Sequence, residues 1–283
     1  MPVAPLPEMR RSLNGDRQID SDQDHPNSVG SLELVSVDRF FGGVRAIDSL
    51  SLQVPGGMIY GLIGPNGAGK TTAINLISGL LRPSAGRITF NGRPIHAAAT
   101  HAIAMLGITR TYQNIRLFRS LTCLENVLIG QHHTRRETLA GRMFFSAASR
   151  AENRVARERA AMLLAEVGLA GRDGDVAGQL AYGDQRRLEI ARSLATKPRL
   201  ILLDEPAAGM PFGEAEALIA LIRTLPERGV GVLLVEHNMQ VVMQVCQRIA
   251  VLNFGRKIAE GSPSEIRTDP NVIEAYLGAE DEA

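Results

Sequence analysis

Gly64-Pro65-Asn66-Gly67-Ala68-Gly69-Lys70-Thr71-Thr72 stands between the apolar run Met58-Ile59-Tyr60-Gly61-Leu62-Ile63 and a stretch of helical periodicity. A glycine-rich turn from a strand into a helix lets successive backbone N–H groups converge on a phosphate, and the helix adds the positive end of its dipole. In that setting Lys70 has the reach for β- and γ-phosphate oxygens, and Thr71 offers a hydroxyl to Mg²⁺. The segment, Gly64, Pro65, Asn66, Gly67, Ala68, Gly69, Lys70, Thr71 and Thr72, is therefore expected to bind a nucleoside triphosphate. A plain glycine-rich turn is the competing reading, and it does not account for Gly, Lys and Thr in register with both flanks correct.

Both flanks extend an alternation of strand and helix. Upstream, Leu32-Glu33-Leu34-Val35-Ser36-Val37 and Leu50-Ser51-Leu52-Gln53-Val54 predict two short half-buried strands, the second turning at Pro55-Gly56-Gly57. Downstream, Ile74, Ile77 and Leu81 share one helix face, and residues 83–86 close that helix before a strand at 87–90 and the tight turn Asn91-Gly92. The last third gives a strand at 200–203, a helix at 214–225, a strand at 230–235 and a helix carrying Met239, Val242, Met243 and Cys246. A strand at 249–253 then turns through Phe254-Gly255 into 256–260. This rhythm makes a parallel sheet with crossover helices, so the fold class is α/β. Ser262-Pro263-Ser264-Glu265 reads as a capping box, and Asp269-Pro270 starts the last helix in the same way.

The middle of the chain differs. Residues 150–167 are dense in Ala, Arg and Glu, with Val155, Met162, Leu163 and Val167 at helical spacing and Gly168 as a stop, which predicts a helical subdomain. Seven arginines lie from Arg135 to Arg159 with Phe144 and Phe145 among them, a composition that can suit nucleic acid. Interleaved Glu137, Glu152 and Glu158 repel a phosphate backbone and favour a solvated helix face.

Composition narrows the class further. The chain has 283 residues, enough to bury roughly three-quarters of its unfolded surface, and its formal net charge is +1 from 31 basic and 30 acidic residues. Such a balance supplies no global field for a polyanion, so nucleic acid is not the expected partner. Two cysteines, Cys123 and Cys246, lack a metal-type spacing and point to a reducing compartment. No stretch approaches the ~18 consecutive apolar residues of a membrane span, and the N-terminus lacks the order of a signal peptide. Residues 1–30, with four prolines, no aromatic residue and the acids Asp20, Asp22 and Asp24, are expected to be a disordered extension.

Three further segments carry chemistry. Leu200-Ile201-Leu202-Leu203-Asp204-Glu205 is an apolar strand ending in two carboxylates, which the sheet's carboxyl edge brings beside the phosphate loop. Neighbours on a strand point opposite ways, so Asp204 is expected to serve Mg²⁺ and Glu205 to act as general base on an attacking water. Val232-Leu233-Leu234-Val235-Glu236-His237 ends at the same edge, where His237 can donate to the γ-phosphate, hold the water, or be an ordinary surface histidine. Leu180-Ala181-Tyr182-Gly183-Asp184-Gln185-Arg186-Arg187 opens a helix with the buried stripe Leu188, Ala191, Leu194 and Ala195. Its free first-turn amides suit an anion, and an ordinary helix start is equally compatible.

The phosphate loop, Gln113, Leu180 to Asp184, Asp204-Glu205 and His237 occur in the order and spacing of the ATP-binding cassette of membrane transporters, which this chain resembles from about Leu32 to Gly278. Residues 109–118, the run Arg186-Arg187-Leu188-Glu189-Ile190-Ala191-Arg192 and the closing Ala275-Tyr276-Leu277-Gly278 resemble the branched-chain amino-acid transporters. The resemblance implies an ABC-type P-loop NTPase at 31–278: a RecA-like core, an antiparallel β subdomain and a helical subdomain at about 114–185, followed by a tail at 279–283. It implies that Phe41 stacks on adenine, although a strand-end core residue is the alternative. Gln113 resembles the glutamine that joins Mg²⁺ and senses the membrane partner. Ala181, Tyr182, Gly183 and Asp184 resemble the signature that grips the γ-phosphate of ATP held by a second, identical or homologous cassette.

By that resemblance the chain is an ATPase at the cytoplasmic face of the cell membrane, driving uptake through two permease subunits served by an external binding protein. Three departures stand out. Ala181 replaces the usual serine, Asp184 the usual glutamine, and Pro211 an asparagine or aspartate that links the two ATP sites. A regulatory nucleotide-binding module, a cassette for urea or amide uptake or for lipid export, and a soluble cassette acting on ribosomes or DNA are the alternatives. The transported molecule is not legible, because selectivity lies in the permease and binding protein.

Overall fold

The computed structural model describes residues 30–131 and 147–277, without the side chains of 147–150 and 277. Residues 1–29 of the expected extension at 1–30, the basic and aromatic residues Arg135, Arg136, Arg142, Phe144 and Phe145, and Gly278 with the tail at 279–283 lie outside the described residues.

Two sheets organise the chain. A four-stranded antiparallel sheet has the order β2 (Val44–Val54), β1 (Leu32–Phe41), β4 (Ala85–Phe90), β5 (Arg93–Pro94). A six-stranded sheet has the order β10 (Arg256–Gly261), β9 (Arg248–Asn253), β3 (Ile59–Ile63), β8 (Gly231–Val235), β7 (Leu200–Asp204), β6 (Ile108–Arg110), with β10 alone antiparallel. The helices are α1 (Lys70–Ile77), α2 (Thr100–Met105), α3 (Cys123–Gly130), α4 (Ala147–Glu166), α5 (Tyr182–Ala195), α6 (Phe212–Arg223), α7 (Met239–Val245), α8 (Pro263–Thr268) and α9 (Pro270–Leu277).

The central strands are apolar on both faces because each face meets its own core. Tyr60 and Leu62, Leu200 and Leu202, Leu233 and Val235, and Ala250 and Leu252 pack with α1 and the antiparallel sheet. Ile59 and Ile63, Ile201 and Leu203, Val232 and Leu234, and Ile249 and Val251 pack with α3 to α8. Burying one such Ile or Leu stabilises by about 1.5–3 kcal/mol, so the sheet is anchored from both sides.

Several elements differ from expectation. β1 and β2 run well beyond Val37 and start well before Leu50, because backbone pairing continues through an exposed hairpin. Asp38 ties that hairpin together, accepting from the Ser49 amide at 2.7 Å and from Arg45 at 2.8 Å. α1 stops at Ile77, capped by Ser78, so Leu81 lies outside the helix and packs from the following loop. In α4 the buried stripe is Ala156, Ala160 and Leu164, continued by Val167, whereas Val155 and Met162 face outward. Small alanines let α4 approach its neighbours closely, and they carry little signal in a hydrophobic pattern.

Candidate nucleotide site

The carboxyl ends of β3, β7 and β8 lie side by side, since Leu62 and Asp204 both register with Val235. The loop 64–69, Asp204-Glu205 and Glu236-His237 therefore share one edge. Gly64 is obligatory there: its φ is +151°, and a Cβ would stand 2.1 Å from the Leu252 carbonyl oxygen. Lys70 opens α1 and is buried, with Nζ donating to the Gly64 and Pro65 carbonyls at 2.7 and 2.9 Å. Burial pulls its ammonium below the ordinary lysine value, against the opposing charges of Glu205 and Asp204. Asn66, Gly67 and Thr71 are exposed, Ala68 is buried, and Pro65, Gly69 and Thr72 are half-buried.

Asp204 ends β7 and is buried; its Oδ2 accepts from Arg110 Nη2 at 2.8 Å. The same guanidinium donates through Nη1 to Asn75 Oδ1 at 2.6 Å and Ser78 Oγ at 3.2 Å, joining β7 to the α1 region. Glu205 follows with φ +47°, and its amide donates to the Val235 carbonyl at 2.8 Å. This left-handed turn aims its carboxylate between two predicted residues: Gln113 Nε2 donates to Oε2 at 3.3 Å, and His237 Nδ1 lies 3.4 Å from Oε1. Glu236, behind them, is 1% exposed and accepts the Ala207 amide at 3.3 Å.

Phe41 is 44% exposed at the tip of the β1–β2 hairpin, where Arg39 stacks on its ring at 4.6 Å, so the strand-end core alternative is wrong. That hairpin adjoins the phosphate loop, because Ala46 and Ile47 of β2 lie against Gly69.

Ala181, Tyr182, Gly183 and Asp184 stand apart, and among the described residues no hydrogen bond or ion pair joins them to Lys70, Asp204 or Glu205. Ala181 caps α5 without a side-chain bond, as its missing hydroxyl requires. The Gly183 amide donates to Glu214 Oε2 at 3.0 Å. Asp184 is paired through its two carboxylate oxygens with Arg172 and Arg187.

Sequence reasoning missed Arg110, Glu236, Glu214, Arg172 and the clasp formed by Arg186 and Glu189. No local pattern marked them: Arg110 meets Asp204 94 residues on, and Glu214 accepts the Gly183 amide 31 residues back.

A family model described as ABC transporter matches residues 47–208. Another, described as branched-chain amino acid ATP-binding cassette transporter, matches residues 256–282. The chain is 46% identical over 249 residues to the high-affinity branched-chain amino acid transport ATP-binding protein BraF of Pseudomonas aeruginosa, covering 87% of this chain and 97% of that one. It resembles the solved ADP conformation of MJ1267, an ATP-binding cassette of an ABC transporter, with TM-score 0.76, 30% identity and coverage of 88% and 99%. The dimeric structure of MJ0796, a bacterial ABC transporter cassette, is similar at TM-score 0.69 and 26% identity, covering 82% of this chain and 98% of that one.

Proposed function

Given that the chain belongs to the ABC transporter family of ATP-binding cassettes and is an ATPase, we propose that it powers an importer for branched-chain or related amino acids. The printed function of the Pseudomonas relative and the branched-chain family match at the C-terminus support that substrate class.

The loop 64–72 holds the triphosphate through its amides and Lys70, which exchanges its two carbonyl partners for phosphate oxygens. Phe41, exposed on the hairpin, takes the adenine. Thr71, Gln113 and Asp204 offer hydroxyl, amide and carboxylate oxygens, a donor set that fits Mg²⁺. Arg110 pairs with Asp204 Oδ2, so Oδ1 would be the oxygen that serves the ion. Held by these residues, Mg²⁺ would offset negative charge on the phosphate oxygens. Glu205 accepts the proton of the attacking water, while Gln113 and His237 orient its carboxylate.

Residues 31–278 form the ATPase domain, with the helical subdomain at about 114–185. Gly183 and its neighbours meet the ATP of a second cassette, and two permease subunits, loaded by an external binding protein, receive the motion at the cytoplasmic face of the membrane. Next to the Gln113 segment, a cleft of about 400 Å³ with Ile103, Tyr112, Phe118 and Ile129 on its walls suits a docking helix of such a subunit. No helix among the described residues is long and apolar enough to cross a membrane.

The observation that carries the reading is Glu205, held in a left-handed turn with Gln113 and His237 on its two oxygens. Glu205→Gln is expected to keep ATP affinity, read by a fluorescent ATP analogue, and to lower turnover by about 10²- to 10⁴-fold. Unchanged turnover removes Glu205 from the mechanism.

A further inference from the structure

Arg186 is the largest side chain that the structure buries almost completely, at 2% exposed. A guanidinium leaves water at a steep cost unless it is paired, so its partners reveal what it is there to hold. Nη1 donates to the Tyr112 carbonyl at 2.5 Å and to Glu189 Oε2 at 3.2 Å. Nη2 donates to the Gln113 carbonyl and to the Tyr182 hydroxyl at 3.1 Å. Glu189, itself 1% exposed, accepts the Arg116 amide on Oε1 at 3.3 Å. One turn of α5 thus grips the backbone at residues 112, 113 and 116.

The gripped segment has its own business elsewhere, because the Gln113 side chain reaches Glu205. The gripping helix opens with Ala181 to Asp184. We propose that Arg186 and Glu189 are positioning residues that make the Ala181–Asp184 end of α5 and Gln113 move as one body. Occupancy of the partner cassette's ATP is thereby reported to Glu205 of this chain. The inference rests on the reading that two cassettes share their ATP. Pro211, which starts α6 without a side-chain hydrogen bond, offers no polar group for a second route between the sites.

The test measures Arg186→Met, Glu189→Gln, Gln113→Ala and the double variant Arg186→Met/Gln113→Ala in the full-length chain. Wild-type turnover that is cooperative in ATP is the control, and its absence counts against the two-cassette reading rather than against the clasp. With the control met, Arg186→Met is expected to keep the affinity of the single chain for a fluorescent ATP analogue within twofold. Its turnover falls by about 2- to 30-fold, the range of coupling through one contact network, and its Hill coefficient moves toward one. Glu189→Gln keeps an acceptor for the Arg116 amide and shifts both readouts the same way, which guards against misfolding of the methionine variant. The double variant is expected to be no slower than the worse single variant, since both act through Gln113. Losses that multiply in the double variant overturn the proposal. So does an unchanged Hill coefficient in both Arg186→Met and Glu189→Gln, whatever their thermal stability.

Discussion

Glu205 sits in a backbone region that costs a non-glycine residue about 1–3 kcal/mol, and the strain places its carboxylate between Gln113 and His237. The two acids after four large apolar residues were legible in sequence; their orientation was expected from strand alternation, but the strand stops at Asp204 and a left-handed turn directs Glu205. The positive φ was not legible, because no local residue preference demands it of a glutamate. Glu236 is the converse, a charged residue that reads as a strand end and turns out to be buried behind the site. Burial raises its carboxyl above the ordinary value of 4.5, with the Ala207 amide pulling the other way. The native state therefore binds this proton more readily than the unfolded chain, so stability falls as pH rises from the ordinary value through the raised one. Glu236→Gln keeps an acceptor for Ala207 and cannot ionise. It is expected to be more stable than the wild type above that window and to lose the advantage below it, as read by urea unfolding on either side. A variant less stable above the window would show that the charge itself is required.

Among the elements, the helix whose buried stripe holds two leucines, α5, was read well, and α4, whose stripe begins with alanines, less so. The stripe Leu188, Ala191, Leu194 and Ala195 of α5 is buried as periodicity predicts. In α4 the same reasoning chose Val155 and Met162, and the structure buries Ala156 and Ala160 instead. Close approach explains the difference, since alanine sinks a backbone against its neighbour while a larger side chain must point away. α3 and α5 show how near helices come: a Cβ on Gly130 would stand 2.4 Å from the Arg192 carbonyl oxygen. Gly130→Ala must push the helices apart, and a loss of about 1–3 kcal/mol is expected from such overpacking. Chemical denaturation measures it, and a stability equal to the wild type's would mean that the contact is looser than the structure has it.

For the whole molecule, the decisive arrangement is a sheet buried on both faces, with the proposed ATP chemistry along one edge and the Ala181–Asp184 end of α5 apart from it. Gly183 donates to Glu214 within its own chain; in the proposed shared-ATP arrangement that amide would be released to the phosphate held by a second cassette. Glu205→Gln with ATP and Mg²⁺ is accordingly expected to sediment as a dimer, and with ADP as a monomer. A chain that stays monomeric with ATP, both alone and mixed with its companion ATPase, rules out the shared-ATP arrangement. By itself the sequence determined the phosphate loop, the α/β order and the strand that ends in Asp204-Glu205, because these are set by contiguous residues whose spacing encodes backbone geometry. Only the tertiary structure decided that Arg110 holds Asp204, that Arg172 and Arg187 hold Asp184, and that Arg186 clasps the Gln113 segment. Arg110 and Arg186 reach partners 94 and 74 residues away, and a guanidinium's long reach leaves no periodic trace of where it ends.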